Sequence, residues 1–337
     1  LRIFRAAAAA LPAGAAVMRA RAALLLLALD FALSCAAQTY PSRAIRIVVA
    51  FPAGGGSDLA ARVVGQKLSE GFGQPVVVEN RVGANGSVGA EAVARSAPDG
   101  YTLVMGSNAN ITTNPHLMAL AYDPMRDLAP VAMLTVNPLL LFVNPAVVPV
   151  ASFREFLDYV RARDGKVDYA SAGNGSPAHL SGELLKLTAG IRMVHVPYKG
   201  GPPGVNDVLG GRVGVMLAAA PTVLPHIRSG KLRGIATTGA RRSVFAPEIP
   251  TVAESGFADF DVVIWNALFA PSATPGAVLA KLHGEIDRIL AQPGTKELLL
   301  DQGAEVQIMT DAAFRELLKA EYERWGKVIR EAKIKVD

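Results

Sequence analysis

Residues 45–80 read IRIVVAFPAGGGSDLAARVVGQKLSEGFGQPVVVEN, and this stretch decides the fold. The apolar run 45–51 predicts a strand, the helical spacing of apolar residues predicts a helix over 59–70, and the apolar run 76–79 predicts a second strand. A strand, a glycine-rich turn, a helix and another strand in this order are typical of an α/β sheet.

The same alternation continues along the chain. It predicts helices and strands as follows: helices at 88–96, 153–162, 178–188, 203–209, 222–229, 276–290, 295–302 and 311–332, and strands at 101–105, 167–170, 193–196, 213–217 and 233–237. These elements form two α/β series, one before and one after about residue 140. Two further strand-like segments lie outside both series. The first, 131–143, consists of two apolar runs split by Asn137 and Pro138, and the second is 262–270. Both are predicted crossover segments between two lobes.

Composition limits the class of protein. A chain of 337 residues that is 51% hydrophobic can form two medium domains, so disorder is excluded for most of it. The net charge of +5 arises mainly in the first 37 residues, and the remainder holds 30 basic and 28 acidic side chains. Because no basic stripe occurs, nucleic acid is excluded as a partner.

The N-terminus has the pattern of an export signal over residues 1–37. Arg19 and Arg21 precede the apolar run 22–29, and small residues follow at 34–37. Met18 lies directly before the basic pair, so residues 1–17 are an over-extended start in one interpretation. An exported chain of this kind is expected in the periplasm.

Two alternatives to a cleaved signal are a membrane anchor and a lipid anchor. Basic and acidic residues interrupt the apolar run, which disfavours a membrane span. Lipid would attach to Cys35, but Ala32 stands where a lipobox usually has Leu. Cys35 is the only cysteine, so the mature chain has no disulfide.

The glycine-rich loop at 51–58 is the first candidate for ligand binding. Backbone N–H groups of glycines can approach a ligand closely, and a following helix N-terminus favours an anion. A dinucleotide fingerprint fails because Leu59 occupies the third glycine position. Ligand contact and a simple turn capped by Asp58 both remain open from these residues alone.

Glycine-rich stretches at 83–89 and 171–179 also follow strands and open helices. In open α/β sheets, ligands bind beyond the carboxyl ends of strands. Each stretch by itself is also compatible with a helix cap. Three such loops from two lobes predict one cleft lined by N–H and hydroxyl donors.

Signals for catalysis are weak. The five histidines have no metal-binding spacing, and no Gly-x-Ser-x-Gly elbow occurs. Ser176 and His179 are a candidate dyad, although Ser176 is equally a helix cap. Tyr198 and Lys199 end a predicted strand and can reach an anion or form a surface turn. We therefore predict that the protein is not an enzyme. A hydrolase or a dehydrogenase is the less favoured alternative.

Several motifs together resemble the Bug family, the extracytoplasmic receptors of tripartite tricarboxylate transporters. The resemblance runs in order from about Tyr40 to the C-terminus, through 51–55, 78–81, 98–103, 169–180, 195–200, 207–211 and 249–256. It implies a cleft that holds a small carboxylate, with ordered waters linking the carboxylate to the first glycine loop. Residues 82–86 depart from the family's usual Pro-Gly-Ala-Gly-Gly, and Asn85 adds a side chain there.

The alternation of strands and helices predicts an α/β protein, and the resemblance implies a two-lobed fold of the type II periplasmic-binding-protein kind, with each lobe a sheet flanked by helices. The first lobe is expected to contain 38–140 and 264–337, and the second 141–263. The expected function is capture of a small organic carboxylate and delivery to a membrane transporter, by a monomer without metal or cofactor. A ligand-sensing partner of a signalling system is a further alternative. The predicted ligand-binding residues are Phe51, Pro52, Ala53, Gly54, Gly55, Gly56, Ser57, Asp58, Asn85, Ser107, Asn108, Ser171, Gly175, Ser176, His179, Tyr198, Lys199, Asp207 and Trp265.

Overall fold

The computed structural model of the protein describes residues 40–336, so the predicted export signal and Cys35 lie outside the described residues. Within 40–336, none of the helices combines the length and the apolar character that crossing a bilayer requires.

Ten strands form the sheet framework of the described chain. They are β1 (Ile45–Val49), β2 (Val76–Asn80), β3 (Thr102–Ser107), β4 (Leu128–Val143), β5 (Asp168–Ser171), β6 (Val194–Pro197), β7 (Val215–Ala219), β8 (Arg233–Thr237), β9 (Val263–Pro271) and β10 (Glu305–Val306). The strands predicted from apolar runs are confirmed to within a few residues at their ends.

Helices connect these strands. They are α1 (Gly56–Phe72), α2 (Ser87–Ala94), α3 (Asn114–Leu117), α4 (Pro124–Asp127), α5 (Phe153–Arg163), α6 (Pro177–Ala189), α7 (Gly201–Leu209), α8 (Ala220–Arg228), α9 (Gly276–Ala291), α10 (Pro293–Asp301) and α11 (Asp311–Glu331). A π-helical segment, Ala109–Thr113, precedes α3. The short helices α3 and α4 were not predicted, because four residues are too few to show a helical period.

The strands run in the order β2-β1-β3-β9-β4-β7-β5-β6, with β8 and β10 also paired to β4. β1 is parallel to β2 and β3, and β5 is parallel to β6 and β7. We call the elements around β1, β2, β3 and β9 the first lobe, and those around β5, β6, β7 and β8 the second lobe. Parallel strands place the loops that follow them at one edge, where ligands of α/β proteins bind.

β4 links the two lobes as one continuous strand, which corrects the expectation of two separate apolar runs. Residues 128–138 pair with β9, whereas 139–143 pair with β7 and β8. The partners change at Pro138, whose nitrogen has no hydrogen to donate to a ladder. The predicted break is therefore a change of partner and not an end of the strand.

A buried threonine joins the two crossover segments at the point where they leave the second lobe. Thr238 Oγ1 accepts the Leu139 N–H at 2.9 Å and donates to the Val262 carbonyl at 2.6 Å. Thr238 is 1% exposed, so its hydroxyl needs these partners. This link connects β4 to the residue before β9.

The C-terminal helix α11 contributes to the cores of both lobes. Phe314 and Leu318 pack with Trp265 of the first lobe, whereas Trp325 and Val328 belong to a core of the second lobe. Within the described residues, 44–336 belong to one compact unit. The boundaries at 140/141 and 263/264 stay predictions.

Candidate ligand-binding site

The glycine loop between β1 and α1 is exposed at its centre. Residues 52–56 are exposed, and Gly54 has a φ of +78°, a conformation that favours glycine. α1 begins at Gly56, earlier than the predicted 59, and no side chain caps its first turn. The N–H groups of that turn carry partial positive charge, which suits an anion.

Asp58 stabilises this loop from within the fold. It is 2% exposed, and its oxygens accept the Gly54 N–H, Arg62 Nε and Asn80 Nδ2, each at 2.9 Å. Burial alone would raise the pKa of Asp58, but the hydrogen bonds from Arg62 and the other two donors outweigh it and lower the pKa to about 2. The Asp58 carboxylate is therefore ionised, and its oxygens already accept three hydrogen bonds inside the fold. It is not the N-cap of α1.

Ser57 connects the glycine loop to the crossover strands. Its Oγ donates to Asn266 Oδ1 at 2.5 Å, and Asn266 Nδ2 donates to Thr135 Oγ1 at 3.2 Å. Asn266 lies on β9 and Thr135 on β4. The contact spans 209 positions along the chain, which explains why no local pattern indicated it.

The loops that follow β1, β2 and β3 meet at one place. At Gly86, a Cβ atom would lie 2.9 Å from Phe51 Cζ and 3.1 Å from Asn110 Cβ, so only glycine fits without a shift. Asn110 also accepts the Ser107 N–H at 2.8 Å and donates to the Gly86 carbonyl at 3.3 Å. The sequence predicted that the loops 51–58 and 83–89 lie together with 171–179; the contacts bring the first two together, and they add the loop after β3, which that prediction did not include.

Asn85 holds the glycine-rich loop 83–89 in place through its side-chain hydrogen bond. Its φ is +49°, in the left-handed region that Asn tolerates better than most residues. Its Nδ2 donates to Asn114 Oδ1 at 2.9 Å, and Asn114 Nδ2 donates to Ser87 Oγ at 2.8 Å. The side chain that departs from the family pattern thus bonds within the first lobe.

Ser107 and Asn108 lie at the carboxyl end of β3 and are both buried. Ser107 Oγ accepts the Ala109 N–H at 3.3 Å, and Asn108 Nδ2 donates to the Val263 carbonyl at 3.0 Å. Within residues 40–336, Asn108 Oδ1 has no hydrogen-bond partner. A buried acceptor of this kind can take a hydrogen bond from a ligand or a water.

In the second lobe, the loop 171–176 joins β5 to α6. Ser171 is fully buried, and Ser176 caps α6 by accepting the His179 N–H at 3.2 Å. The ring of His179 accepts the Gly175 N–H at Nδ1, at 3.1 Å. Because its ring bonds to Gly175 and its backbone N–H to Ser176, the geometry does not form the dyad considered from the sequence.

Tyr198 and Asp207 form a pair beside this loop. The Tyr198 hydroxyl donates to Asp207 Oδ2 at 2.8 Å, and Arg212 Nη1 bonds to Asp207 Oδ1 at 2.5 Å. The hydrogen bonds from Tyr198 and Arg212 lower the pKa of Asp207. Lys199 is exposed at the end of the same segment.

Trp265 lies in the core of the first lobe and not on an open surface. It is 0% exposed, and its indole N–H donates to Glu321 Oε2 at 2.7 Å. Phe269 and Phe314 pack against its ring, with centroids 6.1 and 6.2 Å away. These contacts give Trp265 a structural role beneath the loops.

Cavities elsewhere do not identify the ligand site. One of about 660 Å³ lies in the second lobe between the 151–157 segment and β8, and its walls include none of the predicted ligand-binding residues. Another, of about 320 Å³, lies beside the crossover strands and also includes none. No group of three metal-ligating side chains occurs in the described part of the chain.

The loops of the two lobes form two separate sets. Among residues 40–336, no hydrogen bond joins the loops after β1, β2 and β3 to the loop 171–176 or to the Tyr198–Asp207 pair. Each set is connected within its own lobe. A ligand between the lobes would thus face two preformed half-sites.

Comparisons with known proteins agree with this architecture. Residues 60–334 match the model of the TctC family, described as tripartite tricarboxylate transporter family receptor. The chain is 40% identical over 302 residues to protein BugT of Bordetella pertussis, which covers 89% of this chain and 92% of BugT.

Solved structures show the same fold. A structure described as a periplasmic transporter is 37% identical, with a TM-score of 0.73 over 89% of this chain and 100% of its own. MatC from Rhodopseudomonas palustris, solved with bound malate, is 33% identical, with a TM-score of 0.69 over 86% and 100%. An R. palustris protein solved with adipate is 33% identical, with a TM-score of 0.73 over 88% and 99%.

These matches confirm the predicted two-lobed fold of the periplasmic-binding-protein kind. The family match covers most of the chain, and the identity to BugT extends over nearly the same length. The chain therefore belongs to the tripartite tricarboxylate transporter receptor family.

Proposed function

We propose that this protein is a periplasmic receptor that captures a small organic carboxylate between its lobes and delivers it to the membrane subunits of a tripartite transporter. The observation that carries the proposal is the exposed loop 52–56, which opens the uncapped first turn of α1. Asp58 and Ser57 hold this loop from the inside. Backbone N–H groups fixed in this way can bind a carboxylate without rearranging.

Relatives support the ligand class. Two solved structures that resemble this chain contain malate and adipate, which are both dicarboxylates. Two of the cations near the loops are already paired: Arg62 bonds to Asp58 and Arg212 to Asp207. Lys199 is exposed beside the second-lobe loop. The proposed site therefore binds its carboxylate mainly through N–H groups, hydroxyls and water, with Lys199 as a cation at its edge.

We assign different roles to the predicted site residues. Direct or water-mediated contact is proposed for the backbone of 51–57 and for the side chains of Asn108, Ser176 and Lys199. Support of the loops is proposed for the residues whose polar atoms already bond inside the fold, which are Asp58, Asn85, Ser107, Ser171, Gly175, His179, Tyr198, Asp207 and Trp265.

We also propose that the protein is a receptor without catalytic activity. The family and the similar structures are receptors and binding proteins. The candidate dyad of Ser176 and His179 is not formed, since the ring of His179 bonds to Gly175. A dinucleotide site would also need the glycine that Leu59 replaces.

Calorimetric titration tests the proposal. The wild type is titrated with malate, adipate and monocarboxylates, and with NAD as the ligand of the enzyme alternative. Binding of at least one carboxylate and no heat with NAD is expected. Binding of NAD alone would contradict the proposal.

A matched pair of glycine variants localises the site. Gly56 and Gly276 each begin a helix, and neither would bring a new Cβ within 4 Å of another group. Gly56→Val keeps the backbone N–H but places an isopropyl group in the open space in front of the loop. It should weaken carboxylate binding by roughly tenfold or more, since blocking one charge-assisted hydrogen bond has that effect. Gly276→Val should bind as the wild type does. Equal affinity in the two folded variants would remove the loop from the site.

A further inference from the structure

Behind the loop 171–176 lies a buried polar group of side chains, which we call the histidine cluster. Its members are Tyr169, Ser171, His179, Glu183, Lys186 and His195. The rings of His179 and His195 are stacked, with centroids 3.7 Å apart and planes 7° from parallel. His179 is 6% exposed, and His195 is half-buried.

The hydrogen bonds of His179 define its protonation. Its Nδ1 lies 3.1 Å from the Gly175 nitrogen, and a backbone N–H can only donate. Nδ1 must therefore be an unprotonated acceptor, so the neutral ring carries its hydrogen on Nε2. That atom lies 3.8 Å from Glu183 Oε1, which is beyond hydrogen-bond distance but close enough for attraction between the N–H and the carboxylate.

The contact of His195 defines its tautomer in the same way. Ser171 Oγ lies 2.6 Å from His195 Nε2, accepts the Gly173 N–H at 3.1 Å, and has the Gly173 carbonyl as a second acceptor at 3.1 Å. A separation of 2.6 Å is usual for a hydroxyl donor and short for an N–H donor. We therefore assign the single Ser171 hydrogen to the shorter contact, with His195, which places the hydrogen of the neutral ring on Nδ1.

Both ends of the loop therefore depend on a neutral imidazole. Ser171 ends β5 and bonds to His195, while Gly175 precedes α6 and bonds to His179. Gly173 and Gly175 have φ values of +130° and +70°, which other residues rarely adopt, so the loop holds an unusual backbone.

We propose that His179 and His195 are positioning residues, which as neutral hydrogen-bond acceptors hold the loop 171–176 in the shape that binds the ligand. The inference rests on the proposed function, because the loop is taken to face the carboxylate. It also removes Ser171 from direct contact, since its single hydroxyl hydrogen is used by His195.

The surroundings of the rings oppose their protonation. Lys186 Nζ bonds to both Glu183 oxygens, at 2.7 and 2.8 Å, and the Tyr169 hydroxyl donates to the same carboxylate at 2.6 Å. Lys186 and Tyr169 thus offset much of the attraction that the Glu183 carboxylate would exert on a protonated imidazole. Two stacked imidazolium ions at 3.7 Å would also repel each other.

The direction of the pKa shifts agrees with this geometry. Burial lowers the pKa of His179 to about 4, against the opposing effect of Glu183. Burial, His179 and Lys186 together lower the pKa of His195 to about 3, and burial has the largest effect. Both rings consequently stay neutral from neutral pH down to about pH 5, and the loop should lose its acceptors only in stronger acid.

Amide hydrogen exchange of the protein without ligand is the first test. His179→Phe keeps an aromatic ring but removes the acceptor, whereas His179→Asn places an amide oxygen near the position of Nδ1. The Gly175 amide should exchange about tenfold faster in His179→Phe, and His179→Asn should restore most of the protection. His226→Phe is the control, since its half-buried imidazole has no hydrogen bond among the described residues. Unchanged Gly175 exchange in a folded His179→Phe would overturn the proposal.

Imidazole ¹⁵N shifts of the wild type give a test that needs no variant. At pH 7 we expect a hydrogen on Nε2 of His179 and on Nδ1 of His195. The opposite tautomers, or a doubly protonated ring, would overturn the proposal. This measurement and the amide exchange decide the positioning role even if no carboxylate binds, an outcome that would contradict the proposed function instead.

Affinity for malate then separates positioning from a general structural role. His179→Phe should bind malate about tenfold more weakly, and His179→Asn within about threefold of the wild type. Because malate itself titrates in acid, the readout is the ratio of the two affinities in the same buffer. The ratio of His179→Asn to wild type should be constant above about pH 5 and rise below about pH 4. A flat ratio over the whole range would contradict the role of the neutral ring.

Discussion

At the scale of single residues, Asp58 illustrates how a charge inside a binding loop can serve stability. Its pKa falls from 3.8 to about 2 on folding, so the ionised form is favoured in the native state. A lowered carboxyl pKa contributes stability above the unfolded value and loses it as pH falls through the folded value. Asp58→Asn should therefore unfold about 1–2 kcal/mol more easily at pH 7, allowing for the half-exposed Arg62. The difference from the wild type should shrink between about pH 4 and pH 2, as urea titration at each pH would show.

A second aspartate supplies the control. Asp311 and Arg315 have the same spacing and the same 2.9 Å separation, but Asp311 is 53% exposed, whereas Asp58 is 3% exposed. Exposed pairs contribute little, so Asp311→Asn should change the free energy of unfolding by less than about 0.5 kcal/mol. Equal losses in the two variants would show that burial is not what makes Asp58 important.

At the scale of elements, strand β9 and helix α11 are joined through a buried hydrogen bond. Trp265 Nε1 donates to Glu321, whose carboxyl also accepts from Thr112 Oγ1 at 3.3 Å. Burial raises the pKa of Glu321, whereas the hydrogen bonds from Trp265 and Thr112 favour its ionised form. Trp265→Phe removes the indole donor and leaves the buried carboxyl with fewer partners.

Trp325 is the matched control for this link. It is 1% exposed, as deeply buried as Trp265, but its indole nitrogen has no partner in the described residues. We expect Trp265→Phe to destabilise the protein by about 1–3 kcal/mol more than Trp325→Phe in urea unfolding. Equal decreases in the free energy of unfolding would mean that the two variants lose only packing volume and that the hydrogen bond to Glu321 adds no stability.

The elements also show what the sequence can and cannot predict. Strands such as 45–49 and helices such as 276–291 follow from local apolar periodicity, which is why they were found. The crossover at 131–143 was predicted, but the continuity of β4 and its change of partners at Pro138 were missed, because an apolar run does not reveal its partner strands. The contacts of Ser57 with Asn266 and of Asp58 with Asn80 were missed for the same reason: they join distant positions. Trp265 was expected near the ligand, although an aromatic residue in an apolar strand is more often part of a core.

At the scale of the whole molecule, we expect the lobes to close about the two crossover segments, because these are the strands that connect them. Thr238 joins them with its hydroxyl, while the two sets of loops have no hydrogen bond to each other within 40–336. A ligand that binds both half-sites would favour a closed arrangement by its higher affinity for it. X-ray scattering should therefore show a smaller radius of gyration at saturating malate or adipate. Gly56→Val at the same concentration should keep the larger radius, and an unchanged radius in a wild type that binds would contradict closure.

The charge distribution of the whole molecule determines how salt affects binding. Two cations beside the proposed site are neutralised, Arg62 by Asp58 and Arg212 by Asp207, and the loops 51–58, 83–89 and 171–179 contain no Arg or Lys, which leaves Lys199 as an exposed cation nearby. Long-range attraction between a cationic surface and an anionic ligand is what salt screens, over about 10 Å at 0.1 M. We expect hydrogen bonds from backbone N–H groups to a ligand held between closed lobes to be screened far less. Affinity for the carboxylate should consequently fall by less than about tenfold between low salt and 0.5 M NaCl. A larger fall would mean that exposed cations such as Lys199 supply most of the attraction, and Lys199→Gln would then remove the salt dependence.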